Sequence, residues 1–225
     1  MGGLTPDQNR AMARFFFEHG GTSYRAIIGV DEVGRGALFG PVTVGGVLIT
    51  RDQWDALPQE AWFSKVNDSK LLSEKKRNEL APMLAALPHA ISHTAVRYID
   101  THNINRAVER GIYKSVQRLL KLMGMHPGEV RVLFDGKNLP RFPQLRMALP
   151  MPHLACEIKA DQKYFPVSAA SILAKVARDR MITNAARRFP EYGLADHAGY
   201  GTAAHREAVR KFGRTTFHRK SFNIS

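Results

Sequence analysis

Carboxylates at the ends of apolar runs are the residues in this chain best suited to chemistry. Asp31 and Glu32 follow Ile27-Ile28-Gly29-Val30 and precede Val33-Gly34-Arg35-Gly36, Asp135-Gly136 closes the run from Val130 to Phe134, and Asp161 follows the run from Leu154 to Ala160. Oxygen donors of this kind hold hard divalent cations, and cations so held serve phosphodiester hydrolysis. The glycines flanking Arg35 leave room for a nucleic-acid strand to approach the backbone. Two other readings of the first stretch compete. In one, the acids cap a turn and pair with nearby Lys or Arg, as solvated strand-end charges commonly do. In the other, Gly34-Arg35-Gly36 with Gly40 is a dinucleotide loop and Asp52 or Asp55 its ribose-binding acid. That reading fails on context, because such a loop must open a helix that meets phosphate. Here Gly40-Pro41 leads instead into the β-branched run from Val42 to Ile49, and two carboxylates before the loop would repel phosphates.

Size and composition narrow the setting. A chain of 225 residues, 44% hydrophobic and 24% charged, is globular and long enough to bury a sizeable core. Its formal charge of +13 favours a polyanionic partner through counterion release and steering. No apolar run approaches the roughly 20 residues a membrane span needs, so nucleic acid is preferred over a lipid surface. The lone Cys156 excludes an intrachain disulfide framework, suits a reducing compartment and lies on the apolar side of an alternating strand. Phe15-Phe16-Phe17 runs directly into Glu18-His19, so no signal peptide is evident and a cytoplasmic location is expected. Nine histidines show no zinc spacing.

The elements that must position the acids follow from periodicity. Residues 5 to 19 form a short amphipathic helix, and strands over Arg25 to Val30 and Val42 to Ile49 make a hairpin. Ser73 caps a helix to about Leu87, shortened or kinked by Pro82, with Lys75-Lys76-Arg77 as a solvated face. A third strand covers Ala90 to Ile99, and Asp100 or Thr101 caps a long helix whose Ile104, Val108, Ile112, Val116, Leu119 and Met123 face the core until Gly124. Strands over Val130 to Phe134 and Leu154 to Ala160 each stop at an Asp, the place where open α/β sheets put their chemistry. Ser168 caps a helix through about Arg188, with Lys175 and Asp179 spaced to pair on it. Beyond Phe189 come Gly199-Tyr200-Gly201-Thr202, a short helix to Phe212 and a basic end, His218-Arg219-Lys220-Ser221-Phe222.

Several of these stretches together resemble ribonuclease HII. They are Val30-Asp31-Glu32-Val33-Gly34-Arg35-Gly36 with Gly40-Pro41, Asp68-Ser69-Lys70, Phe134-Asp135-Gly136, Lys159-Ala160-Asp161, the run Ser168 to Asp179, and Gly199-Tyr200-Gly201-Thr202. The likeness spans about residues 25 to 222 and keeps the family's motif order. Arg35 between its glycines separates the chain from the sister ribonuclease HIII, which carries a different residue there and a larger N-terminal domain. Ala160 stands where the family commonly has Gly, and Val33 and Ala37 replace commoner Ala and Pro.

The resemblance implies an α/β, ribonuclease H-like fold: a mixed sheet of about five strands flanked by helices, with a helical C-terminal region. It implies one catalytic domain over residues 1–225, with the core at about 20–188 and a substrate-groove appendix at about 189–225. It also implies a metal-dependent endonuclease that cuts the RNA strand of RNA–DNA hybrids and single ribonucleotides embedded in duplex DNA; a monomer is the default expectation. The products are a 3′-hydroxyl and a 5′-phosphate, and the role is removal of misincorporated ribonucleotides. By position, Asp31, Glu32, Asp135 and Asp161 carry over as ligands of two Mg²⁺ or Mn²⁺ ions. Gly34, Arg35 and Gly36 would read the ribose 2′-hydroxyl, Lys70 would hold a phosphate and Tyr200 would stack on the sugar at the RNA–DNA junction.

The residues themselves leave two rivals, a DNA-cutting nuclease of the same fold and a non-catalytic basic duplex-binding module. They also pose a geometric problem. Adjacent strand residues face opposite sides, so Asp31 and Glu32 reach one pocket only if the turn at Gly34 bends the chain or Glu32 acts from a different angle.

Overall fold

The computed structural model describes residues 6–67, 69–137, 143, 147, 149 and 153–224. Asp68 of the Asp68-Ser69-Lys70 stretch lies outside the described residues. Among those described, strands β1 (Ala26–Val33), β2 (Val42–Thr50), β3 (His89–Thr94), β4 (Val130–Asp135) and β5 (Leu154–Glu157) form one mixed sheet in the order β3-β2-β1-β4-β5. The first three are antiparallel, whereas β1, β4 and β5 run parallel. Register pairs Val30 with Phe134, so the next step of the same ladder sets Asp31 beside Asp135.

Alternation along β1 divides its side chains between two cores, as period-2 geometry requires. Ile27 joins Val47, Ile49 and Leu133 under α1 (Pro6–Phe17), α2 (Arg51–Ala56) and α3 (Glu74–Leu84). Ile28 and Val30 join Val44, Val132 and Phe134 on the opposite face, beneath the helix that carries Val108, Ile112, Val116 and Leu119. The apolar stripe expected of that helix is therefore core. Its N-terminus differs from the sequence expectation. The chain breaks into α4 (Val96–His102) and α5 (Ile104–Met123), and Asn103, at φ 72°, caps α5 by accepting from Arg106 N–H at 3.1 Å. Asp100 instead accepts the N–H groups of Lys220 and Ser221 at 3.1 and 2.9 Å, tying down the C-terminal segment.

Two further expectations are corrected. β5 ends at Glu157, and Lys159, at φ 60°, turns the chain so that Asp161 lies in the one-turn helix α6 (Ala160–Lys163) rather than at a strand end. Ser168 is not a cap but sits inside α7 (Phe165–Arg188), which starts early because Pro166 suits a first turn. Its hydroxyl donates to the carbonyls of Asp161 and Tyr164 at 2.6 and 3.2 Å.

α7 lies unusually close to the sheet. A Cβ on Gly29 would stand 2.2 Å from Pro166 C, and one on Gly45 would stand 2.3 Å from Ala170 O. On the other face, a Cβ on Gly111 of α5 already comes within 2.6 Å of Val44 Cγ2. Bare glycines in the strands and small residues in Ser168-Ala169-Ala170-Ser171 together permit this contact, and they bring Ser171 to the carboxyl end of β1. Beyond α7, the helices α8 (Leu194–His197) and α9 (Ala203–Phe212) pack around Phe39, Ile182, Tyr192, Leu194 and Val209, so the C-terminal region rests on the loop after β1.

Gly45→Ala tests the close approach. Overpacking against backbone destabilises by about 1–3 kcal/mol or more, so urea unfolding should show that loss, while Gly128→Ala, where a Cβ meets nothing within 4 Å, should be near neutral.

Candidate active site

Asp31 is 6% exposed on the face of β1 covered by α7. One of its oxygens accepts the Glu32 N–H at 2.7 Å, and Ser171 donates to it from α7. Ser171 in turn meets Ser69 at 2.8 Å, so this buried hydroxyl pair links the carboxylate to the Lys70 loop. Burial, reinforced by the negative charges of Glu32 and Asp135, pushes the Asp31 carboxyl up to about 8. Asp135 Oδ1 accepts the Ala160 N–H at 2.8 Å, which sets α6 against the end of β4.

Glu32 keeps the opposite face of β1 from Asp31, as a regular strand requires. β1 stays regularly paired with β2 through Glu32↔Val44 and Val33↔Thr43, so the chain does not bend before the acid. Glu32 leaves from the α5 side and still feels the charge of Asp135 and of Lys70. Burial raises its pKa, partly offset by Arg35, whose Nη1 is 3.2 Å from Glu32 Oε1 and whose other arm donates to Asn105. Asp161 is 2% exposed and faces the Lys70 ammonium at 3.4 Å. Arg77 fixes the loop that carries Lys70 by donating to the carbonyls of Ser69 and Leu72. Its side chain is 12% exposed and also lies 3.9 Å from Asp179. Of the cluster expected to be a solvated face, Lys75 and Lys76 are exposed but Arg77 turns inward as a clamp.

Gly34 needs to be glycine twice over: its φ is +80°, and a Cβ would stand 2.1 Å from Arg178 Nε. Gly36 has no such internal reason, since a Cβ there meets nothing within 4 Å. Tyr200 pairs backbone with Ala37 and is 36% exposed, with the Arg178 guanidinium 5.4 Å from its ring centroid. Arg178 is fully buried and donates to the carbonyls of Ala198 and Phe39 at 2.9 and 3.1 Å. A histidine relay holds the Tyr200 carbonyl. The Thr215 N–H donates to His218 Nδ1 at 3.0 Å, which leaves His218 Nε2–H to donate to His205 Nε2 at 3.2 Å and His205 Nδ1–H to donate to Tyr200 O at 3.0 Å. Burial, with His205 and Arg214 nearby, drives His218 down to about 4, consistent with this neutral arrangement.

The structure thus gathers Asp31, Glu32 and Asp135 within electrostatic reach, links Asp161 to Glu32 through Lys70, and follows them with the buried Gly34, the exposed Arg35 and Gly36, and Tyr200 bridged to Ala37. Among the described residues, no three His, Cys, Asp or Glu side chains form a ready-made ligand shell. Each of the four acids is met by a cation or an N–H of the protein itself, and Asp31 by an N–H and a hydroxyl together. The donor set nevertheless fits a hard divalent cation: it is all oxygen, and burial together with the charges of Glu32 and Asp135 pushes the Asp31 carboxyl up, a shift that positive charge placed there would reverse. Sequence reasoning missed Ser171, Arg77, Arg178 and Arg219. Ser171 and Arg178 stood inside the quoted Ser168–Asp179 stretch without a role, and only an arginine amid α7's apolar residues hinted at the second.

A family profile of ribonuclease HII matches residues 28–225. The ribonuclease HII of Prochlorococcus marinus is 41% identical over 196 residues, covering 86% of this chain and 94% of the relative. Among solved structures, the ribonuclease H2 of Pyrococcus horikoshii superposes with a TM-score of 0.68 at 27% identity, covering 88% of this chain and 94% of that one. The Bst-RNase HIII in complex with Mn²⁺ superposes with a TM-score of 0.68 at 21% identity, covering 98% and 71% respectively, and supports the fold.

The Asp31 carboxyl gives a pH signature. Its folded pKa of about 8 lies above the ordinary 3.8, so between these values the folded state binds more protons than the unfolded one and stability falls as pH rises. Asp31→Asn removes that slope. In EDTA, urea unfolding at pH 5, 7 and 9 should show the variant gaining on the parent by on the order of a few kcal/mol across the window; parallel profiles would refute the buried, uncompensated charge.

Proposed function

The chain belongs to the ribonuclease HII family and is an endoribonuclease of the ribonuclease H type, and we propose that it cuts the RNA strand of RNA–DNA hybrids and single ribonucleotides embedded in duplex DNA, leaving 3′-hydroxyl and 5′-phosphate ends. The observation that carries this reading is the buried Asp31 at the end of β1, pressed by Glu32 and Asp135 and opening beside the Gly34–Gly36 loop. In this reading Asp31, Glu32, Asp135 and Asp161 hold Mg²⁺ or Mn²⁺. When bound there, a pair of divalent cations supplies a water acidic enough to attack phosphorus and offsets charge on the leaving oxygen.

The remaining work falls to the chain's own residues. Asp31 gives up its proton to become a ligand, and Ser171 keeps the carboxylate oriented from α7. Lys70, 75% exposed at its side chain and resting on Asp161, reaches to a substrate phosphate. Arg35 exchanges Glu32 for the substrate backbone in the same way. The Gly34–Gly36 loop contacts the ribose 2′-hydroxyl, the group that distinguishes RNA from DNA at a site. Tyr200 stacks on the sugar at the RNA–DNA junction with Arg178 behind its ring. We read residues 1–225 as one catalytic unit, with about 189–225 completing the groove, acting as a cytoplasmic monomer in ribonucleotide removal. Among the described residues no helix is long and apolar enough to cross a membrane, and the charge of +13 suits a duplex partner.

Duplexes bearing zero, one or several ribonucleotides, incubated with Mg²⁺, Mn²⁺ or EDTA, test the reading directly. Cleavage should require both a ribonucleotide and a divalent ion, and Asp135→Asn should abolish it without lowering the melting temperature. Cutting of all-DNA duplex would favour the DNA-nuclease alternative, and binding without cutting would favour the non-catalytic module. Gly36→Ala separates substrate approach from folding, because a Cβ there meets no protein atom within 4 Å. Its melting temperature should be unchanged while kcat/KM on a single-ribonucleotide duplex falls by roughly ten- to a hundredfold.

A further inference from the structure

Arg219 belongs to a basic C-terminal stretch, yet it is 1% exposed. Its guanidinium donates from Nε to Gly40 O at 3.0 Å, from Nη1 to Arg35 O at 2.8 Å and from Nη2 to Gly34 O at 2.7 Å. One face lies 5.0 Å from the Phe222 ring centroid. Among the described residues it makes no ion pair, and the acid whose charge it feels, Asp100, is occupied by the N–H groups of Lys220 and Ser221. Burial, with the positive charge of Arg178 added, pushes its pKa down to about 9. A cation placed out of water against backbone carbonyls alone is costly, and here all three carbonyls belong to the turn between β1 and β2.

The consequence follows from peptide planarity. In a trans peptide the carbonyl of one residue and the N–H of the next point in opposite directions. Drawing Gly34 O and Arg35 O inward to Arg219 therefore aims the N–H groups of Arg35 and Gly36 outward. Both residues are exposed, and among the described residues neither N–H donates to a protein group. Gly36 leaves open space in front of them, and Arg178 beneath Gly34 blocks the loop from sinking.

We propose that Arg219 is a positioning residue for ribose recognition: by holding two loop carbonyls inward, it presents the Arg35 and Gly36 N–H groups as a fixed pair of donors to the 2′-hydroxyl of the substrate ribonucleotide. The inference rests on the reading that this loop senses the ribose. A planar fork is required, because three carbonyls are met at once by one rigid group; an ammonium is a compact point charge and does not reproduce that geometry.

The test compares the parent with Arg219→Lys and Arg219→Gln in Mg²⁺. KM is measured on a single-ribonucleotide duplex, and Ki on the same duplex made entirely of DNA, used as competitor. Arg219→Lys should keep Ki within about twofold while the ratio Ki/KM falls by about tenfold or more, since a site built on hydrogen bonds to one hydroxyl loses discrimination when its donors are misplaced. Arg219→Gln should fall at least as far, so the lysine does not rescue. Variants that fold and keep the parent ratio overturn the proposal. A parent ratio near one overturns instead the reading that the loop senses ribose. If neither variant folds, amide hydrogen exchange on the parent decides. The Arg35 and Gly36 amides should be protected by the ribonucleotide duplex and not by the DNA duplex, and equal protection alongside a parent ratio well above one rejects the role given to Arg219.

Discussion

Negative charge kept out of water at the carboxyl ends of two adjacent parallel strands is the constraint on which the rest of the structure depends. Asp31 and Asp135 are brought side by side by the β1–β4 register, and Glu32 adds its charge from the opposite face. Such a group is costly unless something compensates it. The protein meets the cost locally, with Ser171 and the Glu32 N–H at Asp31, Arg35 at Glu32, the Ala160 N–H at Asp135 and Lys70 at Asp161 among the partners. Two of them, Lys70 and Arg35, are long side chains, 75% and 51% exposed.

The surrounding architecture supplies the rigidity that this arrangement needs. Gly29 and Gly45 let α7 lie almost on the sheet, and the same approach delivers Ser171 to Asp31 and Arg178 to the underside of Gly34. Arg77 then holds the Lys70 loop and Arg219 holds the Gly34–Gly36 loop, each by donating to backbone carbonyls from a buried or nearly buried position. Arginine suits this role because its planar fork satisfies several carbonyls at fixed angles. The basic composition therefore has two uses. Some of the charge faces the solvent, while Arg77, Arg178 and Arg219 serve inside as struts.

Much of the sheet was legible from alternation and from its breakers. The β1–β2 hairpin, the strand ending on Asp135, the helical stripe from Ile104 to Met123 and the Gly124 stop all stand as read. The misreadings share a cause. Asn103 in a left-handed conformation, Lys159 in another and Ser168 inside a helix are decided by where the chain must go next, which local propensity does not encode. Asp100 is a plausible cap in isolation, but the C-terminal segment, some 120 residues later, claims its oxygens.

By itself the sequence determined which residue types are at hand: acids after apolar runs, oxygen donors of the kind hard cations prefer, a glycine-flanked arginine after the first pair, and motifs that resemble ribonuclease HII. These are properties of residue type and short spacing, which survive without coordinates. Only the tertiary structure decided that adjacent Asp31 and Glu32 keep opposite faces of β1 while their charges still act on one another, that Asp161 arrives on a helical turn, and that Arg178 and Arg219 are internal. The reason is physical. A guanidinium reads the same in a sequence whether it is solvated or buried, and its role is set by carbonyls that folding brings to it from as far as 185 residues away.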